Sequence, residues 1–312
     1  MKKKKIKKKI KKFFQKIRRK TVYYLFLSLK FFVLLIPVNV GLRLGSFLGR
    51  LTFYVHKKER KRTLKNLRKV FKDKKSEKEL KKIGENVFRN IGLFIGEVWY
   101  AYKSGDSFLK DNIEIEGKEY IDKALSKGKG FIGLTAHLGN WELLAAYLSR
   151  VVGIKVTVIA RELSNPDLEN FTEKIRSSFG VKVLIKGSYL KEIIRILNSN
   201  EGIGILADHD TKGKGIFVDF LGFPAYTQVG IALLKLKMDT EILPMFIKRE
   251  DFAKNKITIL EPLRFELTGD NEKDIYHITR ECNRVIENQI FQYPDQWMWM
   301  HKRWKTKKKD VE

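Results

Sequence analysis

Apolar residues recur along this chain with two different periods. Leu80, Ile83, Val87, Ile91, Phe94 and Ile95 fall on one face of a 3.6-residue turn, and Ser76 with Glu79 forms a capping-box pattern ahead of them, so a long amphipathic helix is predicted through Tyr102. Leu64, Leu67, Val70 and Phe71 keep the same spacing inside the basic stretch 56–75. From Asn112 onward the pattern changes to short apolar runs of strand length, at 113–117, 130–136, 156–160, 181–185, 202–207 and 241–247. Helical patterns lie between them at 117–126, 140–152, 166–179, 188–199 and 227–237, and a last one runs from Asp274 to Phe291. This alternation predicts an α/β fold: a mostly parallel or mixed central sheet covered by helices on both faces. The segment FLGFPAYTQVG from Phe220 reads as an apolar loop leading into a helix near Thr227. In folds of this class chemistry collects at the carboxyl ends of the strands.

The first 55 residues follow neither pattern. Residues 1–20 carry 11 Lys and 2 Arg with no acid, and the first carboxylate of the chain is Glu59. Thr21 to Ile36 then reads TVYYLFLSLKFFVLLI, and the apolar character continues past Pro37 to Val55. A polybasic stretch beside an apolar one gains about 1 kcal/mol per Lys or Arg near anionic headgroups, which points to a membrane surface. Lys30 and Pro37 interrupt the apolar run, so it either spans with Lys30 snorkelling or lies in the interface. A cleaved signal peptide would need a small-x-small site after Ile36, and there is none. The expected organisation is a polybasic leader (1–20), a membrane-associated apolar helical segment (21–55) and an α/β domain (56–312).

Composition adds two constraints. The chain has 312 residues and a formal charge of +28, of which the first 58 residues hold +18. The excess is therefore concentrated at one end, and no RRM, helix-turn-helix or zinc-finger pattern accompanies it, so no nucleic-acid partner is expected. The single cysteine, Cys282, excludes an intrachain disulfide and any multi-cysteine zinc site.

The richest candidate chemistry follows the apolar strand GFIGLTA, which runs into His137-Leu-Gly-Asn140-Trp-Glu142. Asn140 is a good N-cap and Glu142 falls in the first turn of the next helix. On a straight helix residues five apart point about 140° away from each other, but a turn containing Gly139 can fold the imidazole back to the carboxylate, which makes a His137/Glu142 dyad feasible. A histidine hydrogen-bonded only within its own loop is the plainer alternative. The strand VTVIA delivers Arg161, ahead of an Asn165-Pro166 helix start, where it can stabilise an oxyanion, bind phosphate or sit on the surface. The strand GIGILA delivers Asp208-His209-Asp210, a possible metal-binding set that lacks another placed ligand nearby. Walker, H-E-x-x-H and G-x-S-x-G motifs are absent, and Gly202-Ile-Gly204 opens no dinucleotide-binding helix.

Together, His137 and Glu142 within TAHLGNWE, Arg161 with Asn165-Pro166, the strand ending at Asp208, the F-x-G-x-P-A segment from Phe220 and the terminal QWMWMHKRWK resemble the late acyltransferases of lipid A biosynthesis, within the lysophospholipid acyltransferase-like superfamily. The resemblance extends from the apolar N-terminus through Lys305 with motif order intact. It departs at His209, where relatives often carry Gln, and in the long Lys-rich leader. It implies transfer of a fatty acyl chain from acyl carrier protein to a hydroxyl of a Kdo-lipid A precursor at the cytoplasmic face of the inner membrane, without a cofactor or metal. The same resemblance makes His137 the general base with Glu142 orienting it, and has Arg161 and Asp208 complete the site, Asp208 by holding Arg161 or the acceptor. The nearest alternative is an acyl-CoA-dependent enzyme acting on another glycolipid or phospholipid, such as a phosphatidylinositol mannoside. A thioesterase and a membrane-anchored nucleic-acid-binding protein are the more distant ones.

Overall fold

The computed structural model describes residues 2–160, 165–185, 190–211 and 213–310. Seven of its strands form the central sheet: β1 (Ile113–Glu116), β2 (Phe131–Thr135), β3 (Val156–Ala160), β4 (Lys182–Ile185), β5 (Gly202–Leu206), β8 (Glu241–Asp251) and β9 (Lys254–Ile259). Their spatial order is β1-β9-β8-β2-β5-β3-β4, and every neighbouring pair is parallel except β8 with β9. The mixed, mostly parallel sheet expected from the alternation is therefore present. β9 escaped the sequence reading because KNKITI has few apolar residues and is an antiparallel return from β8 rather than a new crossover unit.

Central strands buried on both faces explain the continuous apolar runs. Along β2, Ile132 and Leu134 face one core with helices α9 (Leu190–Asn198), α10 (Gly230–Met238) and α11 (Asn271–Gln292). Phe131 faces the other, with α6 (Lys118–Leu125), α7 (Trp141–Arg150) and α8 (Pro166–Ser178). β8 alternates in the same way, Ile242 and Phe246 against Leu243, Met245 and Ile247. Helices thus cover both faces.

The segment from Phe220 is not a loop leading to a helix at Thr227. β6 (Gly215–Phe220) and β7 (Phe223–Gln228) form an antiparallel hairpin apart from the main sheet, and α10 starts only at Gly230. Leu221 and Gly222 form its two-residue turn, both at positive φ (51° and 80°), the backbone that matches strand twist in a tight hairpin. Leucine is costly there. Its buried N–H donates to Glu287 on α11, whose neighbour Asn283 donates to the Asp219 carbonyl, so tertiary bonds hold a conformation that the residue type disfavours.

The N-terminal residues form α1 (Lys2–Leu35), broken at Pro37, then α2 (Val38–Val55) and α3 (Lys57–Phe71). The expected capping box at Ser76 starts α4 (Glu77–Ser104), and the short α5 (Asp106–Asn112) leads to β1. α2 lies flush on α4 because a Cβ at Gly45 or Gly92 would collide with the other helix's backbone, as would one at Gly49 with the carbonyl of Phe88. Tyr100 on α4 donates to the carbonyls of Val33 (2.6 Å) and Ile36 (3.2 Å), and Lys103 to that of Leu34, which closes the end of α1. Among the described residues no helix is long and apolar enough to cross a membrane.

Candidate active site

The parallel register of β2 with β5 creates the site. Thr135 pairs with Leu206, so two residues beyond each strand end His137 and Asp208 arrive side by side. Asp208 is fully buried. Its Oδ1 lies 2.8 Å from His137 Nδ1, and its Oδ2 accepts from the His137 backbone N–H (3.1 Å) and from Trp297 Nε1 (2.7 Å). Burial alone would raise the Asp208 pKa. The His137 imidazole, with smaller contributions from His209 and His301, outweighs it and holds the carboxyl well below the usual carboxylate range. An ionised Asp208 only accepts, so Nδ1 of His137 carries a ring proton, and in the neutral ring the lone pair is on Nε2.

Glu142, expected to steady that ring, is engaged elsewhere. Both its oxygens are taken by Arg176 on α8, at 2.5 and 2.9 Å, and each side chain is only 17% exposed. The carboxylate bonded to the His137 ring is therefore Asp208, 71 residues away rather than five. Arg161 lies outside the described residues. Arg176 gave no motif signal; its value lies in being buried next to a carboxylate, and only the fold brings α8 against α7.

The turn is rigid for reasons spread over the chain. Asn140 caps α7 as expected, accepting from the Leu143 N–H, while its amide donates to the fully buried Glu97 on α4 (2.8 Å). Arg249 at the end of β8 grips Glu97 through two bonds (2.6 and 3.2 Å), and Asn255 adds a third donor. Removing one partner from such a buried pair costs about 3–5 kcal/mol. Gly139, at φ 60°, brings the turn so close to the Ile247 carbonyl that no Cβ fits.

The aromatic tail closes over the other side. Leu138 bridges to Trp297, and the Met298 N–H donates to the His137 carbonyl. Asn66 on α3 donates to the carbonyls of Trp299 and His301. Arg303, fully buried, donates to the Tyr226 carbonyl and Thr227 Oγ1 under the Phe220 ring. Burial lowers its pKa to about 10, still well above neutrality. This anchoring places the His301 ring 4.8 Å from that of His137, with His209 stacked on His137 at 4.0 Å. Asp210 takes no part, since both its oxygens accept from Thr306.

His137 opens onto a cavity of about 650 Å³. Its walls are mainly apolar, with Leu144, Leu148, Val156, Val158, Ile231 and Leu234 among them, while Glu142 and Arg176 supply polar groups. A ring nitrogen with a free lone pair at the entrance to a greasy cavity can take a proton from an alcohol while a hydrocarbon chain lies beside it. Cys282 is no rival nucleophile: it is buried in the core, and burial pushes its thiol up to about 12.

Residues 8–306 match the family model for the bacterial lipid A biosynthesis acyltransferases. The chain is 25% identical over 279 residues to the lipid A biosynthesis palmitoleoyltransferase of Escherichia coli K12, covering 87% of each chain. It is 27% identical over 285 residues to the lauroyltransferase of the same organism, covering 89% of this chain and 90% of that one. A phosphatidylinositol mannoside acyltransferase of Mycobacterium tuberculosis is 29% identical over 134 residues, 42% of each chain. A match over nearly the whole length, on a fold that puts the imidazole of His137 at an apolar cavity, makes this chain an acyltransferase and a member of the bacterial lipid A biosynthesis acyltransferase family.

Proposed function

We propose that this chain transfers a fatty acyl group from the thioester of acyl carrier protein to a hydroxyl of a Kdo-lipid A precursor, with His137 as general base. The observation that carries the reading is the buried Asp208 bonded to His137 Nδ1, which leaves Nε2 as a proton acceptor at the cavity. The acceptor hydroxyl gives its proton to Nε2 as its oxygen bonds to the thioester carbonyl carbon. The tetrahedral intermediate then expels the thiolate, the C–S bond breaks, and the imidazolium returns the proton to sulfur. Asp208 holds the ring in the productive tautomer and stabilises the imidazolium, as the buried carboxylate does in hydrolytic triads. Glu142 and Arg176 form one polar wall of the same cavity, where they orient the reactants. No covalent acyl-enzyme is needed, because the thioester is already activated. Positioning of the ring passes from Glu142 to Asp208, Glu142 stays in the proposal as a group of the cavity wall, and Arg161 stays as the oxyanion-stabilising group that the resemblance implies.

The N-terminal helices support action at the cytoplasmic surface of the inner membrane. Among the described residues, 16 of 21 exposed large hydrophobic side chains lie between Phe13 and Val55, which concentrates the apolar surface on α1 and α2. α1 also reaches the cavity wall: Phe26 packs on Phe171 of α8, and Asn165 donates to the Arg19 carbonyl. A helix lying in the interface would thus set the cavity beside lipid, with the Lys-rich start on anionic headgroups. Basic surfaces also suit an acidic carrier protein.

The test is acyl transfer by the full chain with Kdo-lipid A precursor as acceptor, comparing acyl carrier protein and CoA thioesters as donors and a phosphatidylinositol mannoside as second acceptor. Carrier-dependent acylation of the lipid A precursor, lost by 10² to 10⁴ in His137→Ala, is expected at about the magnitude of general-base catalysis. Preference for a CoA donor and the mannoside would replace this reading with the one favoured by the partial mycobacterial match. Acylation that survives His137→Ala would sink the assignment of the base.

A further inference from the structure

The chain has five histidines, and three of them meet at one point from three separate segments: His137 after β2, His209 after β5 and His301 in the C-terminal tail. General-base chemistry uses one of them. The Nε2 atoms of His209 and His301 face each other 2.6 Å apart, so the two lone pairs compete for whatever lies between them, a proton or a cation. One ligand atom from each of His137, Asp208, His209 and His301 lies within 4.8 Å of all the others.

We propose that His137, His209 and His301 form a binding site for one divalent transition-metal ion of the zinc class, and that the ion competes with the acceptor's proton for Nε2 of His137. A nitrogen-rich set without thiolates suits Zn²⁺, Co²⁺, Ni²⁺ or Cu²⁺, and disfavours Mg²⁺ and Ca²⁺, which want oxygen. Four-coordinate zinc with bonds of about 2.0–2.1 Å places its ligand atoms about 3.3 Å apart. The His209–His301 pair has to open from 2.6 Å, and the His209 ring, stacked within 4° of parallel on His137, has to turn so that the lone pairs converge on one ion, which side-chain rotation of His209 and His301 supplies. One ligand is already backed by a carboxylate: Asp208 engages the far nitrogen of His137, the carboxylate–histidine arrangement that fixes a ligand's tautomer and orientation. Both Asp208 oxygens are occupied by N–H groups, so it supports the site from behind and the three imidazoles bind. Asn66 holds the backbone at His301, and His137 leaves a fourth position on the cavity side.

Binding does not depend on the function proposed above, but inhibition rests on it. The full chain, stripped with a chelator and held in detergent, is titrated with Co²⁺ and followed by visible absorption, then competed with Zn²⁺. One ion per chain is expected, with affinity reduced at least about 100-fold in His209→Gln and in His301→Gln. His277→Gln, remote from the cluster, should leave the titration unchanged. Identical titrations for the native chain and His209→Gln, or no saturable cobalt spectrum, overturn the site. Should a variant misfold, protection of His137, His209 and His301 from diethyl pyrocarbonate by Zn²⁺ in the native chain, mapped by mass spectrometry, decides the same question, and equal modification with and without zinc counts against it. Acyl transfer should fall as zinc fills the site and return with chelator. Undiminished transfer at saturating zinc overturns the shared use of His137. A chain that binds cobalt as described yet transfers no acyl group would refute the proposed function and leave the metal site standing.

Discussion

Replacing Asp208 by Asn changes one atom in the site and tests whether this carboxylate sets the state of His137. The side chain makes three contacts: Oδ1 to the ring at 2.8 Å, and Oδ2 accepting from the His137 backbone (3.1 Å) and Trp297 (2.7 Å). Asparagine has one acceptor oxygen, so it has to choose. With its NH₂ toward the two donors, it would leave two buried N–H groups unsatisfied, at about 1–3 kcal/mol each. With its oxygen toward them, the NH₂ faces His137 Nδ1, which must then present a lone pair. The second orientation wins by about 2 kcal/mol or more, roughly 30-fold in population. It moves the ring proton to Nε2 and removes the base. In a serine-protease triad the same Asp-to-Asn change traps the wrong tautomer and lowers kcat by about 10⁴. We expect a kcat loss of 10³ to 10⁴ here with little change in KM, measured by acyl transfer under saturating donor, while the folded shape is kept. Asp208→Asn retaining kcat within about tenfold of the native chain, beside an inactive His137→Ala, would refute the tautomer argument and return the orienting role to Glu142.

Glu142 and Arg176 should be coupled to one another: Glu142→Gln strands a largely buried guanidinium, and a double-mutant cycle with Arg176→Met should give an interaction energy of about 1–3 kcal/mol in thermal or denaturant unfolding. Additive effects would mean that the pair does not hold the cavity wall. Burial, then the neighbouring His137 and His209 rings, push the His301 pKa from 6.5 down to about 2. The unfolded chain therefore takes up a proton below its unperturbed pKa that the folded chain refuses, so stability falls on acidification. Between about pH 7 and pH 5 this one group costs about 2 kcal/mol, visible as a lower Tm, and His301→Gln should flatten that part of the pH dependence. Phe31 and Phe32 on α1 are both more than 60% exposed. The double change to Ser should weaken binding to anionic vesicles by at least about tenfold while leaving Tm nearly unchanged, and cosedimentation equal to that of the native chain would argue against α1 as the lipid-facing surface.

Local signals in the sequence were reliable wherever the chain's own neighbours decide the outcome. The capping box at Ser76, the N-caps at Asn140 and Asn165, and the apolar runs of β2, β3 and β5 depend on hydrogen bonds and burial within a few residues, and the fold contains them all. The Leu221–Gly222 hairpin looks like a loop in the sequence because a leucine at positive φ is held there by Glu287, a residue far along the chain. The site divided in the same way. That His137 stands at a strand end was legible, since strand and helix start flank it directly. Which carboxylate meets it was not: a spacing of five suggests Glu142, but the lateral order of strands puts β5 beside β2 and so Asp208 beside His137. The approach of His301 depends likewise on the aromatic tail packing under α3. Spacing along a chain reports only the geometry of one element. The pairing of strand ends, 71 residues apart here, is fixed by sheet hydrogen bonding and core packing, and those exist only once the whole domain has closed.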